Sequence, residues 1–309
     1  AFLRADGRGG AHLKVEGRPG IANGAFVLLG LCEWGEHPER EVLIRMLADG
    51  ILHQQRADGA YRTFVGKGDV ELGIDFYPGE AMLALLNAYR VVREPAYLAS
   101  VERAVPFYRD YWRKQPNTAF VPWHSQVHLL LYQETRKPEY AAFAFEMNDW
   151  LIAKHQLLEP RYPDELGGFG VGDRRKPRNS TSSYLEGLSA AYHLAVLAQD
   201  QEHVERYAKA IRLGCRFILQ GQVTTASAFY LPNATRAIGG FPQSLTRLFQ
   251  RNDYTQHAVM ALMKAYENGL FEPVPAHPAA ETPATSDMPQ PPVAIPVQLR
   301  ESSAAVVVR

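Results

Sequence analysis

Two cysteines in 309 residues, Cys32 and Cys215, leave no disulfide scaffold and no paired-Cys zinc pattern. Both sit in apolar helical context, which suits buried thiols. No charge of one sign dominates. The 33 Lys and Arg offset the 33 Asp and Glu, so no broad attraction to nucleic acid or to a membrane surface is expected. No apolar run reaches the about 18 residues that a membrane-spanning helix requires. A Gly-rich phosphate loop ending in Lys-Ser or Lys-Thr is missing, as are GxGxxG, GxSxG, HExxH and any Asp-rich run suited to diphosphate ionisation. No metal and no organic cofactor is therefore expected.

What remains is a globular composition, 46% hydrophobic and 21% charged. It does not extend to the end of the chain. From Glu272, "EPVPAHPAAETPATSDMPQPPVAIPV" is crowded with Pro, Ala and Thr and lacks helical periodicity. The folded domain is expected to cover 1–271, with 272–309 a disordered tail or a linker to a tethered partner domain.

Self-similarity organises the domain. "NGAFVLLGLCEWGEHPE" from Asn23, "EAMLALLNAYRVVREPA" from Glu80 and "WHSQVHLLLYQETRKPE" from Trp123 each place a Pro 15 residues after the first letter. In "EGLSAAYHLAVLAQDQE" from Glu186, Gln201 takes that place. Each unit reads as an apolar helix, a short polar turn and an amphipathic helix, with the Pro near the start of the second helix, where its missing N–H costs little. Pro106, by contrast, is expected to kink or divide the second amphipathic helix. The stretch around His257 repeats the first half once more. Helices apolar on most faces are buried, and their partners with one polar face lie outside. The pattern predicts an all-α fold, an α/α toroid of about four and a half hairpins. A closed six-hairpin ring would need more chain, so the toroid is expected to be open or incomplete at its N-terminus.

The inner helices of such a ring run in one direction, so their N-termini converge on one end of a central cavity. This gathers Asn23, Glu80, Trp123, His124, Glu186, Gln256 and His257. Glu80 and Glu186 could act as general acid and base, or as acid and nucleophile; equally, each could stabilise its helix through the macrodipole. His257 and His124 could shuttle a proton or bind a hydroxyl, or be satisfied core residues. Asp75 and Asp253 read as helix caps or as carboxylates of the site, and Asp75 could raise the Glu80 pKa by like-charge repulsion. Tyr77, Trp123, Tyr184 and Tyr254 offer aromatic surface suited to the C–H face of a sugar, or to plain packing. The "STSS" run before Glu186 offers helix-capping hydroxyls. Lys14, Arg18 and the run Arg174, Arg175, Lys176 and Arg178 read as solvated loops, or as contacts for an anionic substrate.

The phrases "DFYPGEAMLALLNAY", "SYLEGLSAAY" and "GGFPQSLTRLFQRNDYTQHAVMALMKAY" resemble a group of bacterial α/α-toroid proteins over about residues 10–270. More distantly, the layout is similar to six-hairpin glycosidases and to the helical domains of uronate C5-epimerases and N-acylglucosamine epimerases. The resemblance implies a saccharide or polysaccharide substrate, with a site drawn from Glu80, Glu186, Asp253, Gln256 and His257. It implies glycoside hydrolysis through a Glu80/Glu186 pair assisted by His257 and Asp253. Sugar epimerisation, or a non-catalytic glycan- or peptide-binding scaffold, stands as the alternative.

Overall fold

A computed structural model describes residues 2–66, 72–172 and 176–271. The tail from Glu272, together with Arg174 and Arg175, lies outside the described residues. Two β-strands, β1 (Leu3–Ala5) and β2 (Ala11–Leu13), form an antiparallel hairpin before the first helix. The helices then alternate. α1 (Ile21–Glu33), α3 (Tyr77–Val92), α5 (Val121–Thr135), α7 (Ser180–Leu197) and α10 (Asn252–Glu267) form the inner row. α2 (Arg40–Leu52), α4 (Pro95–Lys114), α6 (Pro138–His155) and α8 (Gln201–Gly221) are their outer partners. A one-turn α9 (Ala234–Ala237) and a second hairpin, β3 (Pro242–Ser244) with β4 (Arg247–Gln250), precede α10.

The repeat fixes the hairpin turns. In three units the inner helix ends on one left-handed residue, Arg93, Arg136 or Gln199, with φ of 53°, 58° and 58°. The residue after it is not helical, and the outer helix starts at Pro95, Pro138 or Gln201. Proline restrains its predecessor to extended backbone, which Glu94 and Lys137 adopt, and its absent N–H is harmless at the first helical position. The first unit departs from this rule, because α2 begins only at Arg40, two residues after Pro38. Pro106 does not divide α4, which runs unbroken from Pro95 to Lys114.

Each inner helix packs on its outer partner and on the next inner helix, from α1 through α3, α5 and α7 to α10. The core fills the space between the two rows. Leu28, Ile44, Leu85, Val101, Leu131, Ala144, Leu188 and Ile211 are all fully buried there. Both cysteines are buried free thiols, and burial pushes Cys32 up to about 11 and Cys215 to about 12. Among the described residues, four short strands accompany the all-α fold. β1 and β2 precede α1, and β3 and β4 lie where the chain returns from α8 to α10; in both places the backbone finds partners outside a helix. Ile21 N–H donates to Thr63 O at 2.9 Å and Asn179 N–H to Gln243 O at 2.8 Å, so these bonds seat the N-terminal ends of α1 and α7.

Candidate functional site

A cavity of about 600 Å³ opens at the N-terminal ends of all five inner helices. Asn23 and Phe26 come from α1, Tyr77 and Glu80 from α3, Trp123 from α5, Ser183 and Tyr184 from α7, and Asp253 and His257 from α10. Two glycines bring these helices together. A Cβ on Gly79 would stand 2.7 Å from the Trp123 Cβ, and one on Gly187 would stand 2.5 Å from the Pro122 Cα. Each glycine is the immediate neighbour of a glutamate, so the contact that lets α3 and α7 close on α5 also sets Glu80 and Glu186 beside it.

The two glutamates then differ. Glu80 lies in the first turn of α3, is 5% exposed, and its Oε2 has no hydrogen-bond partner among the described residues. Burial pushes its carboxyl up to about 7, against the opposing charge of His257. The cause is desolvation rather than repulsion from Asp75. Glu186 lies two turns into α7, too deep for the macrodipole of the first turn to account for it. Its Oε1 accepts from His257 Nδ1 at 2.6 Å. The donor nitrogen follows from the carboxylate being the acceptor, and it leaves Nε2 as the ring nitrogen available for a proton. The expected Glu80/Glu186 pair is thereby rearranged. Glu80 and His257 line the cavity, and Glu186 holds His257 from behind.

The other expected residues divide. Trp123 meets the His257 ring edge-on at 6.3 Å and Phe26 at 5.7 Å. Tyr77 packs on Phe64 and Phe76, and the Tyr184 hydroxyl donates to Thr118 Oγ1 at 2.9 Å. Asn23 Oδ1 accepts from Gly20 N–H at 2.9 Å, so it also closes the start of α1. Asp253 reaches the cavity while accepting from Arg251 Nε at 2.8 Å. Asp75 does not line it; the carboxylate accepts from the Tyr111 hydroxyl at 2.7 Å and from Asn117 Nδ2 at 3.0 Å, tying α4 to the loop before α5. Tyr254 stacks under Arg251, 5.1 Å away. His124 is a wall residue rather than a ligand of the cavity. It is fully buried, stacked 3.5 Å from Phe120, and burial holds its pKa well below the usual value. The hydroxyls of "STSS" do not cap α7. Its N-cap is Asn179, and Thr181 instead accepts from Phe169 N–H at 3.0 Å. Arg18 does not reach the cavity either; its Nε donates to Val65 O.

Behind Phe26 and Trp123, which line both spaces, lies a second cavity of about 810 Å³. Glu186 and Gln256 open onto it, beside Leu83, Gln126, Met260 and Lys264. The Lys264 ammonium bonds Gln126 Oε1, and burial lowers its pKa despite Glu186 and Glu267. Sequence reasoning missed Phe26, Ser183, Arg251 and Lys264. Phe26 had a signal, because it stands one turn after Asn23 on the same face and is a half-exposed aromatic in an otherwise apolar helix. Among the described residues no group of three or more His, Cys, Asp or Glu could hold a metal ion. Nor, among them, is any helix long and apolar enough to cross a membrane.

Among solved structures, the chain superposes on a GH76 α-mannanase of Bacteroides thetaiotaomicron with a TM-score of 0.59, at 13% identity, covering 87% of this chain and 77% of that one. The fold is an α/α toroid. A polysaccharide lyase matches with a TM-score of 0.59 at 14% identity, over 83% of this chain and 73% of its own. A D-mannose isomerase matches with 0.57 at 15%, over 82% and 72%. At such identities the likeness concerns the toroid alone. No protein-family model matches the chain, and no curated protein matches it.

Proposed function

We propose that the toroid is a carbohydrate-active enzyme that moves protons at a sugar carbon, with Glu80 as the acid and His257, oriented by Glu186, as the base. The observation that carries this reading is the 2.6 Å Glu186–His257 bond beside a glutamate whose carboxyl sits near 7. A carboxylate that fixes Nδ1–H presents Nε2 as a base and stabilises the imidazolium that forms. A carboxyl near 7 holds its proton for a large part of the time at neutral pH and can return it to the substrate. Tyr77, Trp123 and Tyr184 supply aromatic faces, and Asn23 and Ser183 polar edges, as a sugar ring requires. The three solved relatives act on carbohydrates by their names, which agrees with a saccharide substrate. Epimerisation and isomerisation are both reactions of this type.

Glycoside hydrolysis is the second reading, favoured by one observation. Asp253 lines the same cavity as Glu80, so a carboxyl acid and a carboxylate share the space. Glu186 serves hydrolysis less directly, because His257 occupies its Oε1. Incubation of the full chain with a saccharide panel in heavy water separates the two. Deuterium on a ring or carbonyl-adjacent carbon, lost in Glu80→Gln and His257→Ala, is the expected result. New reducing ends without deuterium at carbon would transfer the assignment to hydrolysis. If no saccharide is altered but one is bound by the full chain in calorimetry, the toroid is a binding scaffold.

A further inference from the structure

A third depression, of about 670 Å³, adjoins the candidate active cavity. It is built from three chain segments that contribute Lys176 and Arg178, Arg247, and Tyr162 with Asp164 and Glu165. We propose that this groove is a subsite for an acidic sugar residue, whose carboxylate is held by Lys176, Arg178 and Arg247. The inference rests on the reading of the adjoining cavity as a saccharide site and names the class of saccharide it takes.

Several observations converge. Some exposed arginines elsewhere are held by carboxylates, as Arg45 is by Glu41, Arg113 by Glu146 and Arg206 by Asp149. Among the described residues, no carboxylate lies within ion-pair distance of Lys176, Arg178 or Arg247, and all three are exposed. At the groove these three cations outnumber the two carboxylates, Asp164 and Glu165, that share its lining. Guanidinium groups match the planar, two-oxygen edge of a carboxylate, and an ammonium adds a compact charge. Tyr162 is half-exposed and offers a ring for a sugar face. Asp164 and Glu165 are acceptors for sugar hydroxyls, and their charge confines a ligand carboxylate to the side of the groove held by the three cations. The groove thus suits a residue that carries one carboxylate and several hydroxyls, which is a uronate.

The groove is continuous with the cavity along the backbone. The Asn179 N–H to Gln243 O bond clamps the two segments that build both. Arg178 lines the groove and Ser180, two residues on, lines the cavity. Arg247 lines the groove, and Arg251 and Asp253, just beyond β4, line the cavity. A chain with one unit in the cavity therefore has its next units at the groove.

The test measures binding of the full-length chain, by calorimetry, to tetramers of galacturonate, mannuronate, guluronate and glucuronate. Each is compared with the same tetramer carrying methyl-esterified carboxyls. The expected result is at least one acidic tetramer bound more than ten-fold tighter than its ester. That preference should fall to about unity in the triple variant Lys176→Gln/Arg178→Gln/Arg247→Gln and shrink at high salt. Equal binding of acid and ester, a preference that survives the triple variant, or no binding of any acidic tetramer would overturn the proposal. The variant residues are exposed, and circular dichroism checks that the fold is kept. Trp123→Ala separates this outcome from failure of the cavity reading. Loss of both acid and ester binding in Trp123→Ala, with an unaffected triple variant, removes the groove alone. Undiminished binding in Trp123→Ala removes the cavity itself as the saccharide site.

Discussion

The two cavities on either side of the Phe26–Trp123 pair are built from the same helices, yet they hold their buried charges differently. The front cavity lies at helix N-termini, where Glu80 has lost its water and gained no partner. The rear cavity lies lower on the same helices and holds Lys264, bonded to Gln126. Both contain a charge that burial disfavours. In the rear a neighbouring amide and the Glu186 carboxylate ease the cost, and in the front nothing does except the His257 charge. A buried carboxyl raised to about 7 holds a proton near neutral pH, so under the proposed function Glu80 is the group poised to give one away, while the Lys264 ammonium is tied to Gln126.

The sharpest way to break this comparison is to remove the poised group. Glu80→Gln is expected to lower turnover by about 10²–10⁴-fold while leaving the fold intact. Its stability effect has a definite sign. The folded pKa of Glu80 is raised, so its contribution to stability is fully present below the unfolded value and is lost as pH rises through about 7. The variant should therefore be more resistant to urea than the parent at pH 8, and a parent that is equally resistant there would show that Glu80 is not desolvated. Next in size are the glycines. Gly187→Ala is expected to destabilise by about 1–3 kcal/mol, because its Cβ meets the Pro122 backbone. Gly24→Ala, with open space around it, should be neutral or stabilising by up to about 1 kcal/mol. Chemical denaturation of the two, side by side, tests whether close approach or helix propensity governs these positions.

A third experiment concerns the wall between inner and outer rows. His124 and His128 are buried and held neutral, His128 at about 4. Their folded pKa values are depressed, so the stability they permit is complete above about 6.5 and declines as pH falls toward 4. For His128 the loss by pH 5 is about 2 kcal/mol. Glu80 shifts stability the opposite way over this range, so the measurement belongs in the Glu80→Gln background. There, denaturation midpoints should fall between pH 7.5 and 5, and His128→Gln should flatten the slope. The smallest effect is expected from the rear cavity. Lys264→Met should leave turnover within a few-fold of the parent in the same assay that records the loss in Glu80→Gln; a hundred-fold loss would place the rear cavity within the catalytic machinery.

Much of this was legible in the residues. The 15-residue spacing to Pro95 and Pro138 marked the hairpins, whereas the left-handed turn two residues earlier recurs at Gln199 without a proline. Glu80, Trp123, Tyr184 and His257 were found because they break an apolar helix near its start. His124 was misplaced on the same reasoning, since a polar residue one position from Trp123 turns into the wall instead of the cavity. A 100° step per residue decides that, and only the packing of the neighbouring helix fixes its absolute direction. The pairing of Glu186 with His257 joins residues 71 positions apart and left no mark at either.

The sequence by itself determined the alternation of buried and amphipathic helices, the positions of their turns and the end of the ring at which polar groups collect. Each of these depends on neighbours within a few residues, through backbone sterics and helical periodicity. The tertiary structure alone decided which carboxylate stays unpartnered, which histidine faces the cavity and which three cations share a groove. Those properties depend on distances and desolvation between groups far apart in the chain, which no local pattern encodes.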